Sequence, residues 1–379
     1  MNVLFLAVDD LNTWLLENPD RYTGRVIAPN MKRLAESGVN FVRNFSPCPV
    51  CSPCRTALMS GVAPWKSGVY NNSMEHSASE ALRGVDTLPI HLKKNGYYIS
   101  SYGKIFHGYR IKSGWDNHIP HTRSPRPPNA PLNGFSRGDD FGPYHLPESE
   151  LHDTQYADAA VADLQRDHDR PFFIACGIFR PHSPLYAPQK YFDMYPLDEV
   201  ELPPINEDDV DDIPEAGRKL IFFDKDAKYK KVGVVKKYIQ AYLACTTFAD
   251  AQIGRVLDAL EESPYRDNTL VVLWSDHGFH LGEKQHWSKR TMWEEATNSL
   301  LMFRVPGVTQ PEQVCSRPVT LLDIYPTILD LLGVEPPTHL DGRSIRPLLE
   351  TPDALWPHPA LSTFERHMCV VTERYRFIR

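Results

Sequence analysis

The 379-residue sequence lacks a long hydrophobic run: no 18 consecutive residues are apolar, although 42% of the chain is hydrophobic. A dense basic tract is also missing, and the net charge is -7, which argues against nucleic-acid binding. A mildly acidic protein can still bind anions where cations line one pocket. We therefore expect a protein with neither a membrane span nor a nucleic-acid partner.

Cysteines are few and unevenly placed: there are seven, an odd number that cannot all pair within the chain. Cys48, Cys51 and Cys54 lie close together, which is not typical of a disulfide framework. A zinc or iron–sulfur site would need a fourth nearby ligand, and a second CxxC is missing. A signal peptide is missing too, so we predict a cytoplasmic location, or a periplasmic or secreted one if a leader has been removed.

Apolar runs of strand length recur along the chain, at residues 2–8, 172–178, 269–274 and 301–305, and residues 97–102 are also strand-like. Helices are predicted over residues 29–37, 86–95, 235–260 and 321–332, with another that starts near Cys51. Segments 108–150 and 181–212 are predicted to be irregular. Continuous apolar strands that alternate with helices predict an α/β fold, with a largely parallel central sheet flanked by helices.

Two of the predicted strands are followed at once by acidic residues, Asp9-Asp10 and Asp276-His277. Ligands of parallel sheets bind beyond the carboxyl ends of the strands, so these distant segments can converge at one edge. Three carboxylates and an imidazole suit a divalent cation, and mostly oxygen ligands favour calcium or magnesium. The plainer interpretation is that aspartate follows a strand because turns favour it.

Residues 49–61, PVCSPCRTALMSG, predict a helix that starts near Cys51. Arg55 lies one turn further on and faces the same way. The first turn of a helix offers free N–H groups and partial positive charge to an anion, and Arg55 adds a fixed cation. The segment therefore predicts an anion site at Cys51.

The stretch Cys51-Ser52-Pro53-Cys54-Arg55 resembles the C-x-P-x-R signature of the sulfatases, in which a separate enzyme oxidises the cysteine to formylglycine. Further blocks resemble the family's other motifs and follow the family's order: Gly103-Lys104-Ile105-Phe106-His107, Pro181-His182-Ser183-Pro184, Ser275-Asp276-His277-Gly278 and Trp287-Ser288-Lys289. The blocks extend from residue 2 to about residue 306. The sequence is therefore identified as a member of the formylglycine-dependent sulfatases, within the alkaline-phosphatase-like superfamily.

Two details resemble the iduronate-2-sulfatase branch and its bacterial relatives. His277 stands where many sulfatases have asparagine, and the chain reads GKIFHG and RPHSPLYAPQKYFDMYP. This branch implies a sulfated carbohydrate substrate, such as a 2-O-sulfated uronate-like sugar. Cys54 departs from the usual small Ser, Thr or Ala, in a segment that the formylglycine-generating enzyme reads.

The resemblance implies a role for each matching residue. Cys51, as formylglycine, would form a hydrate in which one hydroxyl attacks sulfur and the other expels sulfate. The remaining catalytic roles fall to Arg55, which would steady the hydrate, Lys104 and Lys289, which would hold the sulfate oxygens, His107 as base, and His182, with Lys289, as acid. The metal, calcium rather than magnesium, would be held by Asp9, Asp10, Cys51, Asp276 and His277. Residues 1–335 would form the catalytic domain, and residues 336–379 the start of a smaller C-terminal subdomain that continues beyond the chain.

Other interpretations stay open. A phosphonate monoester hydrolase or phosphodiesterase of the same superfamily shares the fold and formylglycine, and a metal-stabilised binding protein would keep an unmodified Cys51. Lysines are usually solvated, and His182 in a proline-rich turn could simply bind backbone. The remaining histidines (His76, His118, His121, His145, His280 and His286) are interpreted as packing or substrate-lining residues. Trp115 and Tyr109 either stack on a sugar or pack in the core or within their loop.

Overall fold

The computed structural model describes residues 1–13, 21–74, 76–107, 114–136 and 138–379. The strands of these residues are β1 (Asn2–Val8), β2 (Val39–Phe41), β3 (Asn44–Phe45), β4 (Tyr98–Gly103), β5 (Asn117–Pro120), β6 (Phe141–Tyr144), β7 (Phe172–Ile178), β8 (Leu185–Pro188), β9 (Thr269–Ser275), β10 (His280–Leu281), β11 (Trp287–Ser288), β12 (Leu301–Arg304), β13 (Gln313–Cys315), β14 (Val319–Thr320), β15 (Ala360–Phe364), β16 (His367–Val371) and β17 (Arg376–Ile378). The helices are α1 (Pro29–Glu36), α2 (Cys51–Ser60), α3 (Pro64–Ser67), α4 (Leu88–Lys94), α5 (His152–Leu164), α6 (Gln189–Asp193), α7 (Glu215–Arg218), α8 (Phe223–Lys231), α9 (Val235–Glu262), α10 (Glu294–Thr297), α11 (Ile324–Leu332) and α12 (Arg346–Glu350).

An eight-stranded sheet with the order β13-β2-β12-β9-β1-β7-β4-β5 forms the centre of the fold. Strand β1 pairs in parallel with β7 on one side and with β9 on the other. Strands β4 and β5 extend the parallel part beyond β7. Strand β12 is antiparallel to both of its neighbours. The predicted α/β fold with a largely parallel central sheet is thus confirmed, and the antiparallel strand lies away from the centre.

Both faces of the central sheet are covered, which explains why its strands are continuously apolar. Along β1, Leu4 and Leu6 pack with the core on the α9 side. Val3 and Phe5, on the opposite face, pack with the core on the α11 side. All side chains of β1 are buried, so its position is fixed by packing from two directions.

The two segments predicted to be irregular contain short elements that the prediction missed. Residues 108–150 include β5 and β6, and residues 181–212 include β8 and α6, although residues 108–113 and 137 lie outside the described part of the chain. Strands β6 and β8 pair with each other in parallel, and each contains a proline. Such four-residue strands are too short to show a periodic pattern. The predicted strand over residues 370–378 is two strands, β16 and β17, because a turn from Thr372 to Tyr375 separates them.

The last part of the chain packs beside the segment that precedes Cys51. Strands β15, β16 and β17 form an antiparallel sheet whose buried residues contact Phe45, Cys48 and Val50. The backbone N–H of Thr363 donates to the carbonyl of Pro47 at 2.9 Å. The domain boundary at residue 335 stays a prediction. None of the described helices has the length and apolar character that a membrane crossing requires.

Candidate active site

Four neighbouring parallel strands, β9, β1, β7 and β4, end at the same edge of the sheet. The residues that directly follow them are Asp276 and His277, Asp9 and Asp10, the 179–182 segment, and Lys104. Helix α2 begins at this edge with Cys51, as predicted. The sheet therefore gathers side chains that are far apart in the sequence at one place.

Two glycines let Lys104 enter this place. Gly103 and Gly177 are paired in register, and the Lys104 N–H donates to the Gly177 carbonyl at 2.9 Å. A Cβ atom on Gly103 would lie 2.2 Å from the Gly177 oxygen, and one on Gly177 would lie 2.2 Å from the Lys104 oxygen. Gly103 also has a φ of +80°, which side chains rarely adopt. Both positions therefore require glycine.

Cys51 lies at the centre of the candidate site and is fully buried. Its Sγ atom is 3.2 Å from Lys289 Nζ, 3.4 Å from His277 Nε2 and 3.7 Å from Asp10 Oδ1. Burial raises the pKa of the thiol by more than the nearby lysines lower it. Since reactive cysteines are thiolates, this thiol is poorly suited to attack as sulfur.

The other two cysteines of the cluster point elsewhere. Cys54 Sγ donates to the Asp276 carbonyl at 2.8 Å, and Cys48 Sγ lies 4.0 Å from the Tyr70 carbonyl. Within the described residues, the groups able to hold a metal include Cys51 but neither of its neighbours. The geometry therefore does not support a zinc or iron–sulfur cluster built on the three cysteines.

Arg55 is fully buried and ties the ends of two strands together. Its Nη2 lies 2.9 Å from Asp9 Oδ1, and its Nε lies 2.9 Å from Asp276 Oδ2. Its Nη1 donates to the backbone carbonyl of Ile105 at 3.1 Å. The guanidinium thus fixes the spacing of two of the predicted metal ligands, a bidentate task for which arginine is suited.

The adjacent carboxylates Asp9 and Asp10 differ in their electrostatics. Burial alone would raise the pKa of Asp9, but Lys104 and Arg55 outweigh it and hold that pKa well below its usual value. Burial raises the pKa of Asp10, against the opposing effect of Lys289. Asp10 Oδ1 accepts from Lys289 Nζ at 2.5 Å, whereas its buried Oδ2 accepts no hydrogen bond from the described residues. An orphaned carboxylate oxygen of this kind calls for a cation.

The two histidines of the site present lone pairs to these carboxylates. His277 Nδ1 lies 2.9 Å from the Gly278 carbonyl, which can only accept, so Nδ1 carries the proton. Its Nε2 lone pair then faces Asp10 Oδ1 at 3.4 Å and Asp276 Oδ2 at 3.6 Å. A histidine that donates its other N–H to a backbone carbonyl is typical of metal ligands. His182 follows the same pattern, with Nδ1 at 2.6 Å from the Ser183 carbonyl.

These residues fit a divalent cation. Two groups of potential ligand atoms, each within 4.8 Å of one another, are present in the described residues: one is formed by Asp9, Asp10, Cys51 and His182, and the other by Asp10, Cys51, Asp276 and His277. Carboxylate oxygens predominate, which favours a hard ion. His182 joins the first group through its Nε2 atom, 3.9 Å from Asp9 Oδ2 and 3.8 Å from Asp10 Oδ2.

Lys289 is held by a strained segment. Seven described non-glycine residues have a positive φ, and four of them, Lys284, Gln285, Ser288 and Arg290, lie in this segment, while a fifth is the predicted metal ligand Asp10. Such conformations cost roughly 1–3 kcal/mol each and concentrate at functional sites. Lys289 itself is only 6% exposed, and Lys104 only 4%, so neither is an ordinary solvated lysine.

The site also contains residues to which the sequence interpretation gave no catalytic role. The Phe179 ring stacks on His121 at 4.8 Å and on His182 at 4.5 Å, and Lys104 Nζ lies 5.1 Å from its centre. His107 lies nearby: burial and then Lys104 lower its pKa to about 4, so it is neutral at pH 7 and able to accept a proton. His182 belongs to a family motif, but His121 does not, and only the fold brings the His121 and Phe179 rings to it.

Trp115 packs against the core, since its ring stacks at 6.3 Å on Phe173 of β7 and at 6.0 Å on His118. Tyr109 lies outside the described residues.

The model of the sulfatase family matches residues 1–334. The chain belongs to the sulfatase family. It is 37% identical to a sulfatase of Formosa agariphila, over 100% of this chain and 78% of that protein. It is 30% identical to iduronate 2-sulfatase of Mus musculus, over 82% of this chain and 60% of that protein. These relationships identify a sulfuric ester hydrolase and confirm the resemblance drawn from the motifs.

Solved structures agree with this family's fold. The phosphonate monoester hydrolase of Silicibacter pomeroyi superposes with a TM-score of 0.80 at 22% identity, over 100% of this chain and 86% of that one. BT4656, solved in complex with its substrate D-glucosamine-2-N,6-O-disulfate, gives a TM-score of 0.77 at 22% identity, over 100% and 88%. At these identities the similarity establishes the fold alone.

Proposed function

We propose that this sulfatase hydrolyses a sulfate ester on a sulfated carbohydrate, with a formylglycine derived from Cys51 and a bound calcium ion. The observation that supports it best is the position of Cys51 Sγ, within 3.2 to 3.7 Å of Lys289, His277 and Asp10. One buried place therefore contains the precursor of the nucleophile, Cys51, beside two predicted metal ligands, Asp10 and His277, and the lysine proposed to bind sulfate, Lys289.

Asp9, Asp10, Asp276 and His277, together with residue 51, would hold the calcium ion. When bound, the ion supplies positive charge that neutralises a sulfate oxygen and orients the ester. The three buried carboxylates are matched in number by the buried cations Arg55, Lys104 and Lys289. A divalent ion would therefore give the site a net positive charge, which favours an anionic sulfate ester.

Formylglycine would supply an oxygen nucleophile in place of sulfur, since a thiol would form a thiosulfate with no easy exit. Around it, Lys104 and Lys289 would bind the sulfate oxygens as fixed cations. Arg55 would hold Asp9 and Asp276 at their observed spacing while it steadies residue 51. His107 is the proposed base, because its imidazole is neutral at pH 7 and its buried Nδ1 has no hydrogen-bond partner among the described residues.

Protonation of the leaving alcohol is assigned to His182 and Lys289 together. Neutral His182 uses its only proton on the Ser183 carbonyl, so its Nε2 donates only after it is protonated. Burial and then Lys289 lower the pKa of His182 well below its usual value, which opposes that step. Burial alone would also lower the pKa of Lys289, but Asp10 and Cys51 outweigh it and raise that pKa. We infer that Lys289 Nζ donates the proton and that His182 accepts a hydrogen bond beside it.

The carbohydrate substrate is supported by the relatives. One of them is an iduronate 2-sulfatase, and BT4656 has a sulfated glucosamine as its substrate. The fold is also that of a phosphonate monoester hydrolase, which keeps a phosphorus ester as the second candidate substrate.

The test is to co-express the chain with a formylglycine-generating enzyme, map the peptide that contains Cys51, and assay three model esters. We expect a peptide lighter by about 18 Da, the loss on conversion of cysteine to formylglycine. We also expect an aryl sulfate to react faster than an aryl phosphonate and an aryl phosphodiester. A large preference for phosphorus would overturn the sulfatase proposal. An unmodified thiol without turnover would favour a metal-stabilised binding protein.

A further inference from the structure

A cavity of about 580 Å³ opens beside Lys289, within the size range of about 300–1,000 Å³ of small-molecule sites. Its lining comprises Asp139, Ile221, Phe222, Phe223, Asp224, Lys225, Ser288, Lys289 and Arg290. Because Lys289 Nζ is 3.2 Å from Cys51 Sγ, the cavity adjoins the place where the sulfate ester would react.

We propose that this space, the Arg290 cavity, binds the sugar that bears the sulfate and selects one with a second anionic group. The ion pair of Lys225 and Asp139 would bind sugar hydroxyls, and Arg290 would pair with the second anion. The inference rests on the proposed sulfatase function and adds to it the substrate class and the residues that select it.

The Lys225–Asp139 pair is suited to a hydroxyl group. Lys225 Nζ lies 2.7 Å from Asp139 Oδ1, and the two side chains remain 19% and 38% exposed. Asp139 Oδ2 accepts from Ser136 at 2.9 Å, and Lys225 Nζ lies 5.6 Å from the centre of the Tyr229 ring, so both members are held in place. An ammonium has three donors and a carboxylate about four acceptor positions, so each keeps capacity for a sugar hydroxyl, which both donates and accepts.

Arg290 is the cation of the cavity that keeps its charge available. Lys289 pairs with Asp10, and Lys225 pairs with Asp139. The exposed Arg290 guanidinium forms no ion pair or hydrogen bond with the described residues, and only its backbone N–H donates, to the Pro49 carbonyl at 3.3 Å. Its φ of +77° is unfavourable for arginine and turns the chain directly after Lys289. A planar guanidinium binds carboxylate or sulfate with paired N–H donors.

The aromatic wall of the cavity is fastened to the Lys289 segment through His286. The backbone N–H of Phe222 donates to His286 Nδ1 at 3.1 Å, so Nδ1 is the acceptor and the proton lies on Nε2. Nε2 then donates to the Lys289 carbonyl at 2.9 Å. Phe222 is 37% exposed, and its ring offers an apolar face for the C–H groups of a sugar.

Charge decides the class of ligand. Three cations and two acids, Asp139 and Asp224, line the cavity of a chain whose net charge is -7. Lys289 and Lys225 are already paired with Asp10 and Asp139, so the positive charge left for a ligand is that of Arg290. It lies beside the lysine that would take the reacting sulfate and favours a substrate with one more acidic group. A carboxylate and a second sulfate share this chemistry.

The test compares three substrates: a sulfated sugar without another charge, the same sugar with a carboxylate, and the same sugar with a second sulfate. Arg290→Gln is expected to lower kcat/KM for at least one doubly anionic substrate by roughly 10- to 100-fold, mainly through KM, the range expected for a lost charged hydrogen bond. The singly sulfated sugar should lose less than about threefold. Comparison of the carboxylate and sulfate arms identifies the second anion.

The matched control is Arg83→Gln, which removes the same charge from a side chain that is 80% exposed and pairs with Glu80. It should change none of the three reactions. Lys225→Gln is a second variant, expected to raise KM for all three sugars, and an unchanged KM would contradict the role of the Lys225–Asp139 pair. An equal loss on all three sugars in Arg290→Gln, or no loss, would overturn the assignment. A wild-type enzyme that desulfates none of the three sugars and no aryl sulfate would instead refute the proposed function, so the two failures are distinct.

Discussion

The candidate site has two halves that are built in different ways. The strand-end half consists of Asp9, Asp10, Lys104 and Asp276, which directly follow central strands and are at most 4% exposed. The loop-built half consists of the 221–225 and 283–290 segments, whose side chains range from buried to exposed. The hydrogen-bonded register of the sheet positions the first half, whereas single contacts such as those of His286 position the second.

This difference separates chemistry from selection. Groups that must stay aligned with the reacting sulfur are held by the most rigid part of the molecule, where a shift of about 1 Å can cost about 100-fold in rate. Groups that would recognise the sugar lie on loops and in the first turn of α8. Loops can change in sequence without disturbing the core. We therefore expect substitutions in the strand-end half, and at Lys289, to reduce turnover of every substrate, whereas other substitutions in the loop-built half should change which substrate is preferred.

The largest effect is expected at Cys51, where both halves meet. Cys51→Ala removes the nucleophile precursor, and we expect kcat to fall by at least about 10⁴-fold for all sulfate esters. Stability should change little, because the substitution removes one buried sulfur atom. Steady-state kinetics and a thermal melt of the same preparation check both parts.

A matched control for the lost thiol is Cys245→Ala, which removes a buried thiol from the middle of α9. It should leave kcat within about threefold of the wild type. Full activity in Cys51→Ala would show that the nucleophile is another residue.

The next largest effect is expected when the metal site is altered. Asp10→Asn replaces a carboxylate whose Oδ2 has no hydrogen-bond partner in the described residues, and we expect a loss of roughly 10²-fold or more in kcat/KM. To assign this loss to the metal, the protein is first treated with a chelator, and Tm is then measured with and without added calcium. Added calcium should raise Tm of the wild type, and this rise should be strongly reduced in Asp10→Asn.

Asp163→Asn is the control, since Asp163 is a buried carboxylate that accepts from the Tyr102 hydroxyl at 2.8 Å. It should lower Tm but keep the calcium-dependent rise. If both variants respond to calcium as the wild type does, the ion does not bind at Asp10.

The strand-end half could be predicted in large part because its signals are local. An apolar run that ends in acidic residues marks a strand end, and parallel strands end at the same edge, so Asp9 and Asp276 were expected to meet. Their meeting is observed, with Arg55 bound to both. The burial of Lys104 depends on Gly103 and Gly177 in adjacent strands, a pairing that the sequence shows only after the sheet order is known.

The loop-built half could not be predicted from the residues. Lys225 and Arg290 are 65 positions apart in the numbering, one in the first turn of α8 and the other in a loop, so only tertiary contacts bring them to one cavity. The bond from Phe222 to His286 has no sequence signal either, and His286 was interpreted only as a packing or substrate-lining residue. The sequence therefore indicates the reaction more completely than the substrate.

The smallest effect is expected at Glu283, and it concerns pH and stability. Burial raises the pKa of Glu283, with help from Glu295, from 4.5 to about 7. Between about pH 4.5 and pH 7 the carboxyl of Glu283 is ionised in the unfolded chain but protonated in the folded protein. The free energy of unfolding therefore falls as the pH rises through this range, and it does not fall further for this reason above pH 7. At pH 8 the cost is roughly 3 kcal/mol. Asp9 responds in the opposite sense: its lowered pKa stabilises the fold above its ordinary value, and that contribution is lost on acidification.

Glu283→Gln tests this contrast, because glutamine stays neutral at every pH and keeps an acceptor for the Leu281 N–H. In calcium-free protein, Tm is expected to rise by roughly 5 °C at pH 8 and by less than about 1 °C at pH 4.5. Glu80→Gln, at a side chain that is 89% exposed, should change Tm at neither pH. A rise in Tm of equal size at both pH values would mean that the packing of residue 283, and not its ionisation, lowers the stability of the loop-built half. A rise confined to pH 8 would show that this half carries a buried carboxylate without a paired cation, whereas Asp9 in the strand-end half is paired with Arg55 and Lys104.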